Sequence, residues 1–423
     1  MNRGLGWLAL TLVFLATSHA PAQAQVTLGS VPSNPPAQYV GTAIDQICPR
    51  LGAARPTLNP AQLDLSDRCN EMKNPFALGV AVLPDVLTNV TSTQSPAQGR
   101  FAVDARATQF RPLLIRLDTL RTGRASLDGL AASADTLGGR LGAFVNGIGN
   151  FGSRDSTSTE VGFDFHSVGT IAGVDYRFTD NFVGGAAFSY LRTESDISFG
   201  LGSVDSNTYG GSLYGTYYVG PLYVDMLGGF SWHDYDVTRR INYGPGLSAT
   251  VVDRTATGDT GGWQYNFALG AGYDFRPGAW TVTPYARVEY AHLDIDGYKE
   301  QGAFGLNLDV KGQTVESLVT ALGTRVSYAV NTSIGVFMPT VHADWRHEAL
   351  NGRRNIKAQF LNDPSNTIFF IPTDDPDRDY FALGAGVSAT FRKGLAAFLE
   401  YEGIVGLRDI TNHNFTAGIR LEF

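Results

Sequence analysis

Phe415-Thr-Ala-Gly-Ile-Arg-Leu-Glu-Phe423 is the stretch that decides the fold, because it alternates strictly with a period of two. The residues at odd positions are all apolar, and those at even positions are small, polar or charged. This pattern predicts a β-strand with one apolar face and one polar face. An unpaired edge strand promotes aggregation, and pairing the last strand with the first removes that edge. The stretch therefore predicts the closing strand of a β-barrel.

Eleven earlier segments are also predicted to be strands, and the alternation is clean in most of them. Between Trp263 and Phe275, for example, the apolar side chains alternate with Gln264, Asn266 and Asp274. The twelve predicted strands cover 141–151, 163–178, 181–192, 207–219, 221–233, 262–275, 279–293, 316–330, 333–347, 380–392, 394–406 and 412–423. The aromatic residues Trp263 and Phe275 mark opposite ends of one strand, as the two interfacial girdles of a membrane barrel would.

The connections between the predicted strands alternate between short and long. Tight turns such as Thr179-Asp-Asn181 follow the even-numbered strands. Longer connections, at 193–206, 234–261, 294–315 and 348–379, follow odd-numbered strands. Bacterial outer-membrane barrels have short periplasmic turns and long external loops. The sequence therefore predicts an all-β membrane protein, a twelve-stranded antiparallel outer-membrane β-barrel over residues 141–423.

The composition agrees with a membrane barrel and argues against other classes. Charged residues make up 17% of the 423 residues, against about 25% in ordinary soluble domains, and there are 49 glycines. The formal net charge of −8 argues against nucleic acid as a partner. We expect the partners to be outer-membrane lipid and the machinery that assembles barrels, and we expect a monomer.

The N-terminal part of the chain predicts export and a small disulfide-closed unit. Arg3, an apolar run and Ala22-Gln-Ala24 have the pattern of a signal peptide over residues 1–24. Cys48 and Cys69 would then lie in an oxidising compartment and are expected to pair. We predict that residues 25–100 form a short helical disulfide module, in which residues 77–100 are irregular.

Residues 101–140 are predicted to be a linker helix that lies inside the pore. Pro112 is expected to kink this helix or to start a new one. The face of the barrel strands opposite the lipid carries eight charges, each of which would cost ~2–4 kcal/mol on the lipid side near the midplane. They are Arg287, Glu289, Arg325, Asp344, Arg346, Glu400, Glu402 and Arg420. Either they form ion pairs that rigidify the wall, or they contact the helix.

We expect the second arrangement for three of these lumen-facing charges. The predicted helix carries four arginines, and the expected partners are Glu289, Glu400 and Glu402. The four arginines are Arg106, Arg111, Arg116 and Arg121.

The sequence contains no catalytic or metal-binding motif that we can assign. It has neither H-E-x-x-H nor G-x-S-x-G, and its seven histidines do not form a paired Cys/His spacing. His347-Glu348 is half of a zinc-protease motif without its partner. We therefore expect no enzymatic activity, no metal and no cofactor.

Several segments together resemble the autotransporters of type V secretion. They are Gly142–Gly149, Val168–Tyr176, His342–Glu348, Tyr401–Gly403 and His413–Phe423. The resemblance implies a barrel threaded by a helix, export of an N-terminal passenger, and assembly by machinery that reads the last strand. The residues expected to form that assembly signal are Phe415, Ile419, Leu421 and Phe423.

The segment before the barrel differs from that of the family. It has only about 115 residues after the signal peptide, no repeated strand pattern and no Asn-Asn junction for cleavage. Our first hypothesis is an outer-membrane barrel that translocates or anchors this short segment at the cell surface. One alternative is a plugged, porin-like channel with the segment in the periplasm. Another is a surface adhesin that acts through loops 234–261 and 348–379.

Overall fold

The structure is a computed structural model that describes residues 25–74, 76–127, 140–244, 252–350, 352–391 and 395–422. The predicted signal peptide, residues 1–24, lies outside the described residues. Within the described ranges, four α-helices precede the barrel. They are α1 (Pro35–Ala54), α2 (Pro60–Lys73), α3 (Leu83–Val90) and α4 (Ser95–Leu127).

The first two helices begin at strong N-caps. The Asn34 side chain accepts a hydrogen bond from the amide of Ala37, 2.9 Å away. Asn59 and Gln62 form a reciprocal capping box at the start of α2, with Pro60 at the first helical position. Cys48 of α1 and Cys69 of α2 form the predicted disulfide.

One sequence-based expectation in this part of the chain is wrong. Residues 77–100 are not irregular, because α3 and the first turns of α4 lie within them. Leu83, Val86 and Val90 recur at helical spacing, and all three are buried. Pro112 lies inside α4, which is one continuous helix, so this proline does not start a new helix.

Seventeen β-strands follow α4 within the described residues. They are β1 (Leu141–Arg154), β2 (Phe163–Thr179), β3 (Phe182–Ile197), β4 (Gly202–Val219), β5 (Leu222–Tyr243), β6 (Val252–Tyr273), β7 (Trp280–Ile295), β8 (Tyr298–Lys299), β9 (Leu308–Val310), β10 (Gln313–Tyr328), β11 (Val330–Asn331), β12 (Gly335–Glu348), β13 (Asn355–Phe360), β14 (Ile368–Pro372), β15 (Asp379–Phe391), β16 (Leu395–Val405) and β17 (Ile410–Glu422).

Twelve of these strands form a closed antiparallel barrel, which confirms the predicted fold class. Strands β1–β7, β10, β12 and β15–β17 pair with their neighbours in chain order, and β11 pairs beside β12. The closing strand β17 pairs with β1, so that Leu421 lies opposite Ala143 and Phe415 opposite Gly149. With both neighbours paired, the stretch that predicts the barrel has no free edge.

Several strands continue far beyond their predicted ends on the long-loop side. Residues 193–206 were expected to be a loop, but β3 and β4 extend through them to a tight turn at residues 198–201. The predicted loop 234–261 likewise contains the outer parts of β5 and β6. The apolar alternation that marks lipid contact stops at the membrane surface, whereas backbone pairing between adjacent strands continues above it.

Helices α1–α3 pack over the long-loop end of the barrel, and we call residues 25–94 the cap. The cap shares one hydrophobic core with the outer parts of β5–β7 and with a small sheet of β8, β9, β13 and β14. Below it, α4 runs down the pore; a helix of 33 residues is about 50 Å long. No helix among the described residues has the length and apolar content needed to cross a membrane.

Candidate functional site

The filled pore is the candidate functional site, and one face of α4 is apolar. Phe110, Leu113, Leu117 and Leu120 follow helical spacing, and each is at most 6% exposed. They pack against inward-facing apolar residues of the wall, which include Phe144, Ile148, Ile171, Val183, Tyr214 and Leu227. An apolar stripe therefore fixes the side of the barrel on which the helix lies.

The outer half of the helix is anchored through Arg111. Its Nη1 atom lies 2.5 Å from Glu402 Oε1, and its Nη2 atom lies 3.5 Å from Glu400 Oε1. Glu402 also contacts His342 Nε2 and Arg346 Nη2, each at 3.0 Å. The structure thus brings together one arginine and two of the three glutamates that the sequence analysis expected to meet. The Arg106 side chain lies outside the described part of the chain.

Two further arginines anchor the inner half of α4. Arg116 makes a bidentate ion pair with Asp175, with Nε–Oδ2 and Nη2–Oδ1 distances of 2.7 and 2.8 Å. Tyr214 donates a hydrogen bond to the same carboxylate at 3.2 Å. Arg121 lies 2.5 Å from Asp225 and 3.6 Å above the ring of Tyr223. Neither aspartate was predicted from the sequence as a partner of the helix, although each occupies a polar-face position near the short-turn end of its strand.

The remaining charges expected in the lumen are arranged mostly along the wall. Arg287 pairs with Glu289 at 2.6 Å on the same strand, and Arg346 pairs with Asp344 at 2.8 Å. Arg325 reaches the helix and contacts Asp118 at 2.9 Å. Arg420 is 9% exposed and lies beside a small cavity that Arg116 also lines. Both arrangements considered from the sequence, wall pairs and helix contacts, therefore occur together.

A cluster of potential metal ligands also lies in the lumen. Among the described residues, His342, Asp344 and Glu402 bring ligand atoms within 4.8 Å of one another. Arg111 and Arg346 already contact these carboxylates through short ion pairs. Because guanidinium groups neutralise both acids, the cluster has the chemistry of an ion-pair network rather than of a cation site.

The residues expected to act as the assembly signal lie on the outer face of β17. Phe415, Ile419 and Leu421 are 41%, 58% and 44% exposed, whereas Thr416 between them is 1% exposed. Phe423 lies outside the described residues. The described side chains of this strand therefore point their apolar face outward to the membrane and their polar face into the pore.

The cap is fastened to the external loops by buried polar contacts. Arg254 of β6 makes a bidentate pair with Asp64 of α2, at 2.6 and 2.8 Å, and the amide of Gly305 donates to the same carboxylate. Burial acts to raise the pKa of Asp64, but the hydrogen bonds and charge of Arg254, the amide of Gly305 and the charge of Arg68 together lower the pKa overall. Arg239, which is 1% exposed, pairs with Glu300 and donates to the carbonyl of Val90.

The comparisons with known proteins agree with this geometry. The family model described as "Autotransporter beta-domain" matches residues 143–402. The chain belongs to this family. As an autotransporter barrel, it resides in the outer membrane, with outward apolar side chains that suit contact with lipid.

Two related proteins carry the names of enzymes. The "Extracellular serine protease" of Serratia marcescens is 27% identical over 72% of this chain, and "Esterase EstA" of Pseudomonas aeruginosa is 25% identical over 67%. This chain spans 28% and 43% of those two proteins. The matched share is thus less than half of each relative.

Solved structures of the family have the same fold. The translocator domain of autotransporter NalP from Neisseria meningitidis is 17% identical and aligns with a TM-score of 0.54, covering 76% of this chain and 98% of that one. The beta domain of the Bordetella autotransporter BrkA is 19% identical with a TM-score of 0.50, covering 67% and 100%. The filled lumen and the family match favour the autotransporter hypothesis over an open porin.

Proposed function

We propose that this autotransporter barrel exports its own N-terminal cap and then holds it on the outer face of the membrane. The proposal rests on the direction in which α4 runs through the pore. The helix leaves the cap at the long-loop end, where Gln94 bonds the Leu201 carbonyl at 2.7 Å, and reaches Asp225 beside a short turn. Since long loops face the exterior in outer-membrane barrels, the cap would lie outside the cell.

The same proposal divides the chain by role. Residues 1–24 would direct export, residues 25–100 would be carried to the surface, residues 101–140 would remain as the linker in the pore, and residues 141–423 would form the channel. We propose no catalysis by this chain. The barrel would act as a monomer, since its lumen is filled by its own helix.

Protease accessibility on intact cells tests the direction of export. An epitope placed directly after Gln25 should be digested by protease added outside the cell. A matched epitope inserted at Gly220, in the turn between β4 and β5, should be cut only after the outer membrane is breached. Protection of the Gln25 epitope in intact cells would put the cap in the periplasm and overturn the proposal.

We also propose that the barrel assembly machinery recognises the outward face of β17. Phe415→Ala should slow the appearance of the heat-modifiable folded form in cells, because the outward aromatic contact is lost. Thr416→Ala, on the inward face of the same strand, is the control and should assemble at the normal rate. Equal rates for both variants would remove the support for this signal.

A further inference from the structure

A large cavity lies between the cap and the external loops. Its volume is about 1060 Å³, slightly above the roughly 300–1,000 Å³ typical of small-molecule sites. One wall comes from the start of α1 and from α3, and the opposite wall from the β1–β2 and β3–β4 connections and the outer parts of β5 and β6. The cavity therefore exists only while the cap is docked.

Phe199 on the cavity wall has an unusual backbone and side chain. It lies at the tip of the β3–β4 turn with φ 61° and ψ 15°, in the left-handed region that favours glycine. Its ring is 82% exposed, the highest value among the large apolar residues described. A phenylalanine in this position costs backbone free energy and buries almost no surface in return, and local strain of this kind is a reason to test the turn for a binding role.

The turn that carries Phe199 is held firmly in place. The carbonyl of Leu201 accepts hydrogen bonds from Gln94 Nε2 at 2.7 Å and from the amide of Arg240 at 2.9 Å. The amide of Ser198 donates to Gly162 at 2.9 Å. The aromatic ring is thus presented by a turn that is braced by both the cap and the neighbouring strands, which reduces the ordering cost of binding.

The cavity wall also presents polar groups that the fold does not use. Within the part of the chain that the structure describes, the side chains of Asp85, Arg240 and Asp253 are exposed and make no hydrogen bond or ion pair. Together they supply both donors and acceptors. Two carboxylates against one guanidinium disfavour an anionic ligand, and the few apolar residues of the lining disfavour a hydrophobic one.

We infer that this cavity binds a neutral oligosaccharide. Each sugar hydroxyl is both a donor and an acceptor and would match the carboxylates and the guanidinium. The exposed ring of Phe199 would stack on the apolar C–H face of a pyranose. The site deepens the proposed function, because it gives the surface-held cap a task, but its chemistry does not depend on which side of the membrane the cap occupies.

The first experiment is a binding screen with the full-length chain folded in detergent micelles. The probes are immobilised neutral oligosaccharides, with sialylated and phosphorylated sugars beside them, and titration calorimetry then measures the best neutral probe. We expect saturable binding of at least one neutral oligosaccharide. Whether that probe matches the sugars of the bacterial outer leaflet or those of another cell identifies the source. Binding of charged sugars alone, or of none, would overturn the inference.

Two matched glycine variants make the test specific. Phe199→Gly relieves the backbone strain, so that the protein should fold at least as well while the dissociation constant rises about tenfold or more through loss of stacking. Phe304→Gly is the control, because Phe304 also has a positive φ of 59° and is 51% exposed but does not line the cavity. Unchanged affinity in Phe199→Gly would refute the inference.

The two proposals can fail independently. Calorimetry on purified protein measures the cavity whether or not the cap is exported, and protease accessibility measures export whether or not a sugar binds. Asp253→Asn gives a second check on the site, since it keeps the shape of the side chain and removes a charged acceptor. It should weaken binding of the neutral probe without altering the protease pattern on cells.

Discussion

Breaking the buried pair between Arg116 and Asp175 should loosen α4 in the pore. The two side chains are each 3% exposed, and the pair is bidentate, so that Asp175→Asn removes the negative charge that two nitrogens of the buried guanidinium contact. Removing one partner of a buried ion pair typically costs about 3–5 kcal/mol. We take the lower figure, because the asparagine retains a hydrogen-bond acceptor. A loss of about 3 kcal/mol corresponds to a factor of about 150 in the opening equilibrium.

Hydrogen exchange measured by mass spectrometry is the direct assay. In peptides that cover residues 108–121, amide protection should fall by about two orders of magnitude in Asp175→Asn, while the barrel keeps its heat-modifiable mobility. The control is Asp67→Asn, which breaks a pair with Arg55 that is almost half exposed and lies in the cap. Such surface pairs contribute at most about 1 kcal/mol, and this one does not touch α4.

The double variant Arg116→Met/Asp175→Asn completes the cycle. Because the apolar side chain has no charge to leave stranded, the double variant should recover most of the lost protection. If amide protection in residues 108–121 changed by less than about threefold in Asp175→Asn, water would already screen the ion pair. The reasoning that ion pairs lock the helix would then be wrong.

The contact between the cap and the loops gives two further predictions. Because the pKa of Asp64 is lowered, the stabilisation from its pair with Arg254 is complete above the ordinary aspartate pKa of about 3.9 and disappears as pH falls through the lower folded value. In the wild type, the helical circular dichroism signal should therefore be lost at a lower temperature at acid pH. In Asp64→Asn, the melting temperature should lack this pH-dependent step. A step of equal size in the variant would exclude the pair as its origin. Gly305→Ala should destabilise the docked cap by about 1–3 kcal/mol, because the new Cβ would lie 2.4 Å from the amide of Leu65. The Cβ added by Gly52→Ala would have no atom within 4 Å, so the melting temperature of the cap should be unchanged or slightly higher in this variant. Equal effects of the two variants would contradict the steric argument.

The barrel could be predicted from the sequence because its strands have one face in lipid and one in the lumen. The resulting alternation identifies all twelve strands, and the lumen-facing glutamates at 400 and 402 follow from the same pattern. The pairing of Arg111 with them was expected because arginines on a pore helix need acidic partners. Local sequence was sufficient to predict the strand segments that have lipid on one face.

The parts that could not be predicted lie where that contrast ends. Outside the membrane both faces of β5 and β6 meet water or the cap, so the outer strand segments carry no regular apolar signal. The bond between Asp64 and Arg254 joins residues 190 positions apart. Asp175 and Asp225 were missed because their significance depends on where the helix lies across the lumen, which sequence spacing alone does not determine.

The disulfide between Cys48 and Cys69 constrains the order of events during secretion. It fastens two helices side by side, and a pair of helices is about twice as wide as the single helix, 10–12 Å across, that fills the finished pore. A cap exported through its own barrel would therefore have to cross before the two cysteines are joined, and an oxidant on the far side would have to accept the two electrons released when the bond closes. Once closed, the bond would keep the two helices together and prevent the cap from passing back through the pore.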